Sequence, residues 1–342
     1  YMNNASLGMP PLGVLRSINN GYEAISKEPL HGKHDLQDSI SKSVIPKLAK
    51  TFGVDEDEIV LTRNASEALD IQAHSVKLKK GDEIIISSQE HPAGLRPWLV
   101  RQKNDGIKIK TVFIPSPLKS VTDTVSRLSN AITPKTKAIS FCHVTRGGHL
   151  YPVKEIVDMA KERNLLTLVD GAQAAGQFPI YLNKVRCDAY SVSLHKWILA
   201  PAGTGFLFIN KEAREKMISP FIYEKNQISP GFDPPGTKDF PVRAAIGTAL
   251  DYINNIGLLN RISAIFLKRH INIESFSTSE SEIKNVFRFV IVVKMGDEKV
   301  VKIVKQIEKQ VDVIKAYYHT DEETIFQENA LYKVKSSALF EE

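Results

Sequence analysis

A series of short strand-like segments, each answered by a helix-like one, constrains this chain more than any other feature. Glu58–Leu61 reads as a strand and Ala65–Val76 as a helix. Buried strands follow at Glu83–Ser87 (EIIIS), Lys108–Ile114 and Ala138–His143 (AISFCH). Val153–Asn164 carries apolar residues at helical spacing, and Leu165–Val169, Ala189–Val192 and Gly205–Ile209 read as further strands. Ahead of them, residues 44–53 (VIPKLAKTFG) predict an amphipathic helix closed by Gly53. Strands alternating with helices specify an α/β domain with a mostly parallel sheet. Ligands of such sheets bind at the carboxyl ends of strands, so functional residues are expected just after them.

Near residue 250 the pattern changes. Ala244–Ile256 and Leu258–Lys268 predict two long helices, and residues 269–285 are polar and fit no period. Phe287–Val293 reads as a strand, Asp297–Gln310 as an amphipathic helix and Val311–Tyr317 as a strand, a β-α-β unit. The expected organisation is a large domain over 10–250 and a small α+β domain over 251–342, with residues 1–9 packing near the latter.

Composition narrows the partners. Lysine plus arginine is 45 against 39 aspartate plus glutamate, a net +6, and 42% of residues are hydrophobic. That is globular and excludes a disordered chain, a collagen or a coiled coil. No basic block with interleaved aromatics is present, so no nucleic-acid partner is expected. No stretch approaches the ~20 apolar residues of a membrane span. Cys142 and Cys187 are too few for a disulfide framework and sit in or beside apolar runs. Two buried thiols fit a reducing, cytoplasmic setting. The first residue is Tyr1, which leaves a removed upstream signal open.

Four pieces carry chemistry. Lys196, in Ser191-Val-Ser-Leu-His-Lys196, follows a strand and is flanked by Trp197 and Ile198. Desolvation there would make a nucleophilic amine, whereas a surface lysine at a turn is the plain alternative. Asp170 ends a strand, and a buried aspartate needs a cationic partner unless it only caps the next helix. A protonated pyridine nitrogen is one such partner, and a lysine with a pyridinium-pairing acid is what proteins supply to pyridoxal phosphate. Arg63-Asn-Ala-Ser66-Glu67 opens a helix, whose N-terminus suits a phosphate or is simply capped. His91, in Glu90-His-Pro-Ala, stands where a flat ring could stack on another.

The four occur in one order, each after a strand. Together with Leu61-Thr-Arg-Asn-Ala-Ser-Glu-Ala-Leu69, Glu90-His-Pro-Ala-Gly-Leu-Arg-Pro-Trp98, His143-Val-Thr145, Val169-Asp-Gly-Ala-Gln-Ala174, Ser193-Leu-His-Lys196 and Gly236-Thr237, they resemble class V of the fold-type I pyridoxal-phosphate enzymes. That branch holds cysteine desulfurases, selenocysteine lyases and isopenicillin N epimerases. The opening Tyr1-Met-Asn-Asn-Ala-Ser-Leu-Gly8 is similar too, and the likeness covers roughly residues 1–255. It implies a large domain with a mostly parallel sheet sandwiched by helices, a small α+β C-terminal domain and pyridoxal 5'-phosphate as cofactor. It also implies roles. Lys196 would form the Schiff base and move the substrate's α-proton. Asp170 would keep the pyridine nitrogen protonated, Gln173 would bond the phenolic oxygen, and His91 would stack on the ring. Ser66, Ser193, His195 and the Ala65 N–H would hold the phosphate. Thr237 would reach the cofactor of a second subunit in a homodimer, and Asn4 would lie at the substrate.

Departures from the family narrow the reaction. Its cysteine desulfurases use a cysteine on a loop well after the lysine, but the last cysteine here, Cys187, precedes Lys196. A His-Val-Ser-Asn-like stretch reads His143-Val-Thr-Arg146-Gly-Gly-His149, and an arginine there could bind a carboxylate bidentately or make a structural ion pair. Relatives place a carboxylate-binding arginine in the C-terminal domain, yet none follows Arg288. Either substrate binding is rebuilt, with Arg146 a candidate, or a further segment belongs to the protein. The expectation is an amino-acid substrate deprotonated at Cα in an isopenicillin N epimerase-like enzyme. A cysteine-independent C–S lyase, an aminotransferase and a non-catalytic homologue are the alternatives.

Overall fold

The computed structural model describes residues 4–221, 231–267, 269, 271, 273–280, 287–309 and 313–320. The chain divides into two units, Tyr1–Asn254 and Asn255–Glu342.

In the first unit, helices α1 (Leu12–Lys27), α2 (Pro29–Ser39) and α3 (Ile45–Phe52) precede the sheet. Gly53 ends α3 at φ 65°, and its N–H bonds the Ala49 carbonyl, the glycine stop expected there. Then follow β1 (Ile59–Thr62), α4 (Ala65–Ser75), β2 (Glu83–Ser87), α5 (Pro92–Asp105), β3 (Lys108–Val112), α6 (Val121–Asn130) and β4 (Thr136–Cys142). Next come α7 (Val153–Lys161), β5 (Leu166–Asp170), α8 (Leu182–Val185), β6 (Ala189–Ser193), β7 (Gly205–Ile209) and α9 (Phe240–Leu267), whose last residues, from Asn255 on, belong to the second unit. Each expected strand of this unit is present within two residues of its predicted ends. Helices α1 and α2 were not foreseen; few residues of either are buried, and the apolar period of α2 is faint.

The seven strands form one sheet in the order β1-β7-β6-β5-β4-β2-β3, with only β7 antiparallel to its neighbours. Both faces are covered. Ile85, Ile139, Phe141, Val169 and Val192 pack in one core, while Ile84, Ile86, Ala138, Leu168 and Ala189 pack in a second. Burial on both faces is why these strands read as continuous apolar runs. The register aligns Cys142 with Asp170 and Asp170 with Ser191, so the ends of β4, β5 and β6 share one edge. Among the described residues no helix is long and apolar enough to cross a membrane.

In the second unit, β8 (Ile273–Glu280) pairs antiparallel with β9 (Phe287–Val293), and α10 (Asp297–Glu308) follows. Phe289, Ile291 and Val293 pack toward Phe266 and Ile303, whereas Val290 and Val292 are exposed. Three expectations are corrected here. One helix, α9, replaces the two predicted on either side of Gly257, because a lone glycine costs about 1 kcal/mol and breaks a helix less readily than proline. A strand lies in the polar stretch 269–285, since pairing with β9 substitutes for an apolar pattern of its own. The strand expected at Val311–Tyr317 is absent over 313–317, and residues 311 and 312 lie outside the described residues. Among its described residues the unit thus holds an antiparallel strand pair followed by a helix.

Candidate active site

A cavity of about 480 Å³ is lined by residues that follow β1, β2, β4, β5 and β6. It gathers Lys196, Asp170, His91, Gln173, Ala65, Ser66, Ser193, His195 and Arg146. Thr237 is exposed in the loop before α9 and is not in the lining; neither is Asn4, although its neighbour Ala5 is.

Asp170 ends β5 and is buried. Its Oδ1 accepts the Ala172 N–H at 2.9 Å, and its carbonyl accepts the His143 N–H at 2.8 Å. Oδ2 has no hydrogen-bond partner among the described residues. Burial raises the carboxyl's pKa, opposed by the Ala172 N–H, Lys196 and His91. Position 171 must be glycine, because a Cβ there would stand 1.9 Å from Tyr190 Cε1. The Tyr190 ring therefore lies against the backbone just after Asp170, its hydroxyl 2.7 Å from His143 Nδ1. Burial pushes His143 down to about 4, so this second layer is uncharged.

Lys196 is half-buried in the turn after β6. Desolvation lowers its pKa and Asp170 opposes the shift; a lowered pKa favours the neutral, nucleophilic amine. His91 is the N-cap of α5, with Nδ1 accepting the Ala93 N–H at 3.1 Å. That bond places the neutral ring's hydrogen on Nε2. Desolvation lowers the pKa of His91, with Lys196 and Arg146 adding and Asp170 opposing.

The N-terminus of α4 faces the same space. Ser193 Oγ accepts the Ala65 N–H at 3.0 Å, and Asn64 Oδ1 accepts the Glu67 N–H at 2.8 Å. Gly205 permits this approach of α4 to the β6–β7 pair, since a Cβ there would lie 2.8 Å from the Asn64 backbone. The Ala65 N–H is thus used within the protein, contrary to the expectation that it faces a phosphate. Ser66, with its N–H and hydroxyl, and the Ser193 hydroxyl remain. His195 shares its Nδ1 with the Thr204 carbonyl at 3.0 Å, so Nδ1 carries the hydrogen. Nε2 can then donate only from the doubly protonated ring, a form that burial disfavours.

Gln173 also differs from expectation. Its Oε1 accepts the Trp197 indole N–H at 2.9 Å and its Nε2 donates to the Ala5 carbonyl at 2.8 Å. One Nε2 hydrogen is left for a ligand. Arg146 is exposed at the cavity, and among the described residues it has no hydrogen-bond or ion-pair partner, which removes the structural ion pair.

Both cysteines are buried. Cys142 lines the cavity from the end of β4, and burial, Glu90 and Asp170 hold its thiol far above the usual range. Sequence reasoning did not place Cys142 or Trp197 in the cavity and gave Glu90 no task. Only the position of Glu90 beside His91 hinted at the site.

The sequence profile of the family described as Aminotransferase class-V matches residues 1–280. A second profile, an AHAS small subunit-like ACT domain, matches residues 249–315. A probable cysteine desulfurase of Methanothermobacter thermautotrophicus is 27% identical over 273 residues, covering 75% of this chain and 67% of that protein. The isopenicillin N epimerase of Amycolatopsis lactamdurans is 31% identical over 214 residues, covering 61% and 52%. The chain therefore spans about half to two thirds of the length of these relatives. Among solved structures, the cystine C–S lyase C-DES in complex with its reaction product cysteine persulfide is similar in fold. Its TM-score is 0.70 at 22% identity, covering 90% of this chain and 88% of that one.

Proposed function

We infer, from the premise that this chain belongs to the aminotransferase class-V family of pyridoxal-phosphate enzymes, that it deprotonates an amino acid at Cα with Lys196 as the acting amine. The observation that carries this reading is the meeting of Lys196 and Asp170 in one cavity from strand ends 26 residues apart in sequence.

The donor set suits the cofactor. Asp170 Oδ2 is an unpartnered acceptor for a ring N–H, and a buried carboxylate facing a cation is stabilised as the anion. Ser66 at the N-terminus of α4 and the Ser193 hydroxyl offer donors to a phosphate. Pyridoxal phosphate, when bound, supplies an electron sink that stabilises negative charge at a substrate's Cα. Lys196 anchors the group and takes the Cα proton, which its lowered pKa favours. His91, in the cavity lining, would offer its flat ring to the cofactor. Arg146 binds the substrate carboxylate, the role that an unpaired guanidinium at the cavity serves best.

Isopenicillin N epimerase-like chemistry is the leading outcome. A C–S lyase that needs no catalytic cysteine is the second reading, favoured by one observation. Cys142, the sole thiol in the lining, is held protonated inside a strand and is a poor acceptor of sulfur. Thr237 completes a neighbouring subunit's site in a homodimer.

The experiment is a visible spectrum of purified protein with added cofactor, followed by incubation with L- and D-amino acids in deuterated buffer. Deuterium at Cα with racemised amino acid identifies an epimerase. Pyruvate, ammonia and a sulfur product identify a lyase. A cofactor band that is unchanged in Lys196→Ala would overturn the reading.

A further inference from the structure

Glu90 sits where a second carboxylate should not be. Its Oε1 accepts from the Ser87 hydroxyl and from the Cys142 N–H at 3.0 Å. Ser87 in turn accepts the Tyr151 hydroxyl at 3.1 Å, so the chain of hydrogens runs toward Glu90. A Cβ at Gly94 would lie 3.4 Å from Glu90 Oε2 and 4.0 Å from Asp170 Oδ2, so both carboxyls face one gap. The titratable groups around Glu90 are Asp170, Cys142 and Tyr151, and no cation pairs with it among the described residues. Asp170, by contrast, has Lys196 and His91 nearby. Two carboxylates on one gap repel, and a proton settles on the one without a cation.

We propose that Glu90 is a positioning residue for Asp170, a neutral carboxylic acid that leaves Asp170 as the only carboxylate charge of the cofactor site. Oε1 is fixed as a double acceptor, and Oε2 carries the proton on the side that Asp170 shares. Loss of solvent raises Glu90 to about 8, with Asp170 adding and the Ser87 and Cys142 bonds opposing. The inference rests on the reading of Asp170 as the acceptor for the ring nitrogen.

Two measurements test it. In cofactor-free protein, infrared spectra below and above pH of about 8 should show a protonated-carboxyl C=O band that fades as pH rises and is missing in Glu90→Gln. This readout needs no cofactor, so its success or failure is separate from that of the catalytic reading. In loaded protein, Glu90→Gln should bind cofactor within about twofold of wild type at neutral pH. It should also lack the spectral transition expected of loaded wild type when Glu90 ionises, because the amide reproduces the neutral acid and cannot ionise. Absence of the band in wild type would overturn the proposal even if the variant failed to fold. So would a loss of cofactor affinity beyond roughly tenfold in a folded Glu90→Gln protein.

Discussion

Replacing His143 by Asn tests the neutral layer behind Asp170. Asn keeps an acceptor for the Tyr190 hydroxyl but cannot titrate. Wild-type His143 falls from its ordinary value of 6.5 to about 4 because its ring is buried. A depressed histidine binds its proton more weakly in the folded chain than in the unfolded one. Its contribution to stability is therefore whole above pH of about 6.5 and is lost as pH falls toward about 4. At about 1.4 kcal/mol per pKa unit, a shift of this size amounts to roughly 3 kcal/mol. Above that window wild type should be the more stable by about 1–2 kcal/mol, because Asn fills the site less well and loses the edge contacts to Phe178 and Tyr190. Below it the order should reverse by a similar amount. Urea unfolding of both cofactor-free proteins across the window reads the difference directly, and subtraction removes the carboxylates common to both. Two curves that stay parallel would refute the reasoning, since a ring that titrates normally in the fold adds no slope.

Other outcomes follow from the same geometry. Arg146→Ala should raise KM for carboxylate-bearing substrates about tenfold or more while leaving amines without a carboxylate little changed, as steady-state kinetics would show. Changing both Cys142 and Cys187 to Ser should leave turnover per folded molecule intact, and loss of turnover in a folded protein would restore a cysteine mechanism. Arg101→Met should cost roughly 2–5 kcal/mol in urea unfolding. It strands the Ala73 and Val76 carbonyls, each 2.7 Å from Nη1, in the interior.

Most of the first unit could be read from sequence because its strands other than the edge strand β3 are buried and its functional side chains sit at strand ends. Lys196, Asp170 and Ser66 follow that rule. Glu90 did not declare its role, since the role depends on β2 lying beside β4 and on Gly94 letting two carboxyls meet. Gln173 and Ala65 were given ligands that the fold partly withholds, because a motif does not reveal that Trp197, Ala5 and Ser193 compete for the same groups. In the second unit, β8 owes its form to its neighbour, and no local pattern announced it. Helix α2 exposes most of its surface and lacks the stripe that marks a packed helix, whereas the stripe of α1, through Val14, Ile18, Gly21 and Ile25, went unread.

The seat of Trp197 gives the molecule an optical reporter of its own. The chain has two tryptophans. Trp98 is buried, its indole 3.3 Å from Ser140 Oγ, while Trp197 stands in the cavity lining beside Lys196. A bound chromophore there quenches the emission of Trp197 more strongly than that of Trp98. Through Gln173 the same indole is tied to Ala5, so its fluorescence also registers whether Ala5 is in place. Occupancy and the seating of Ala5 can then be followed in real time without a label.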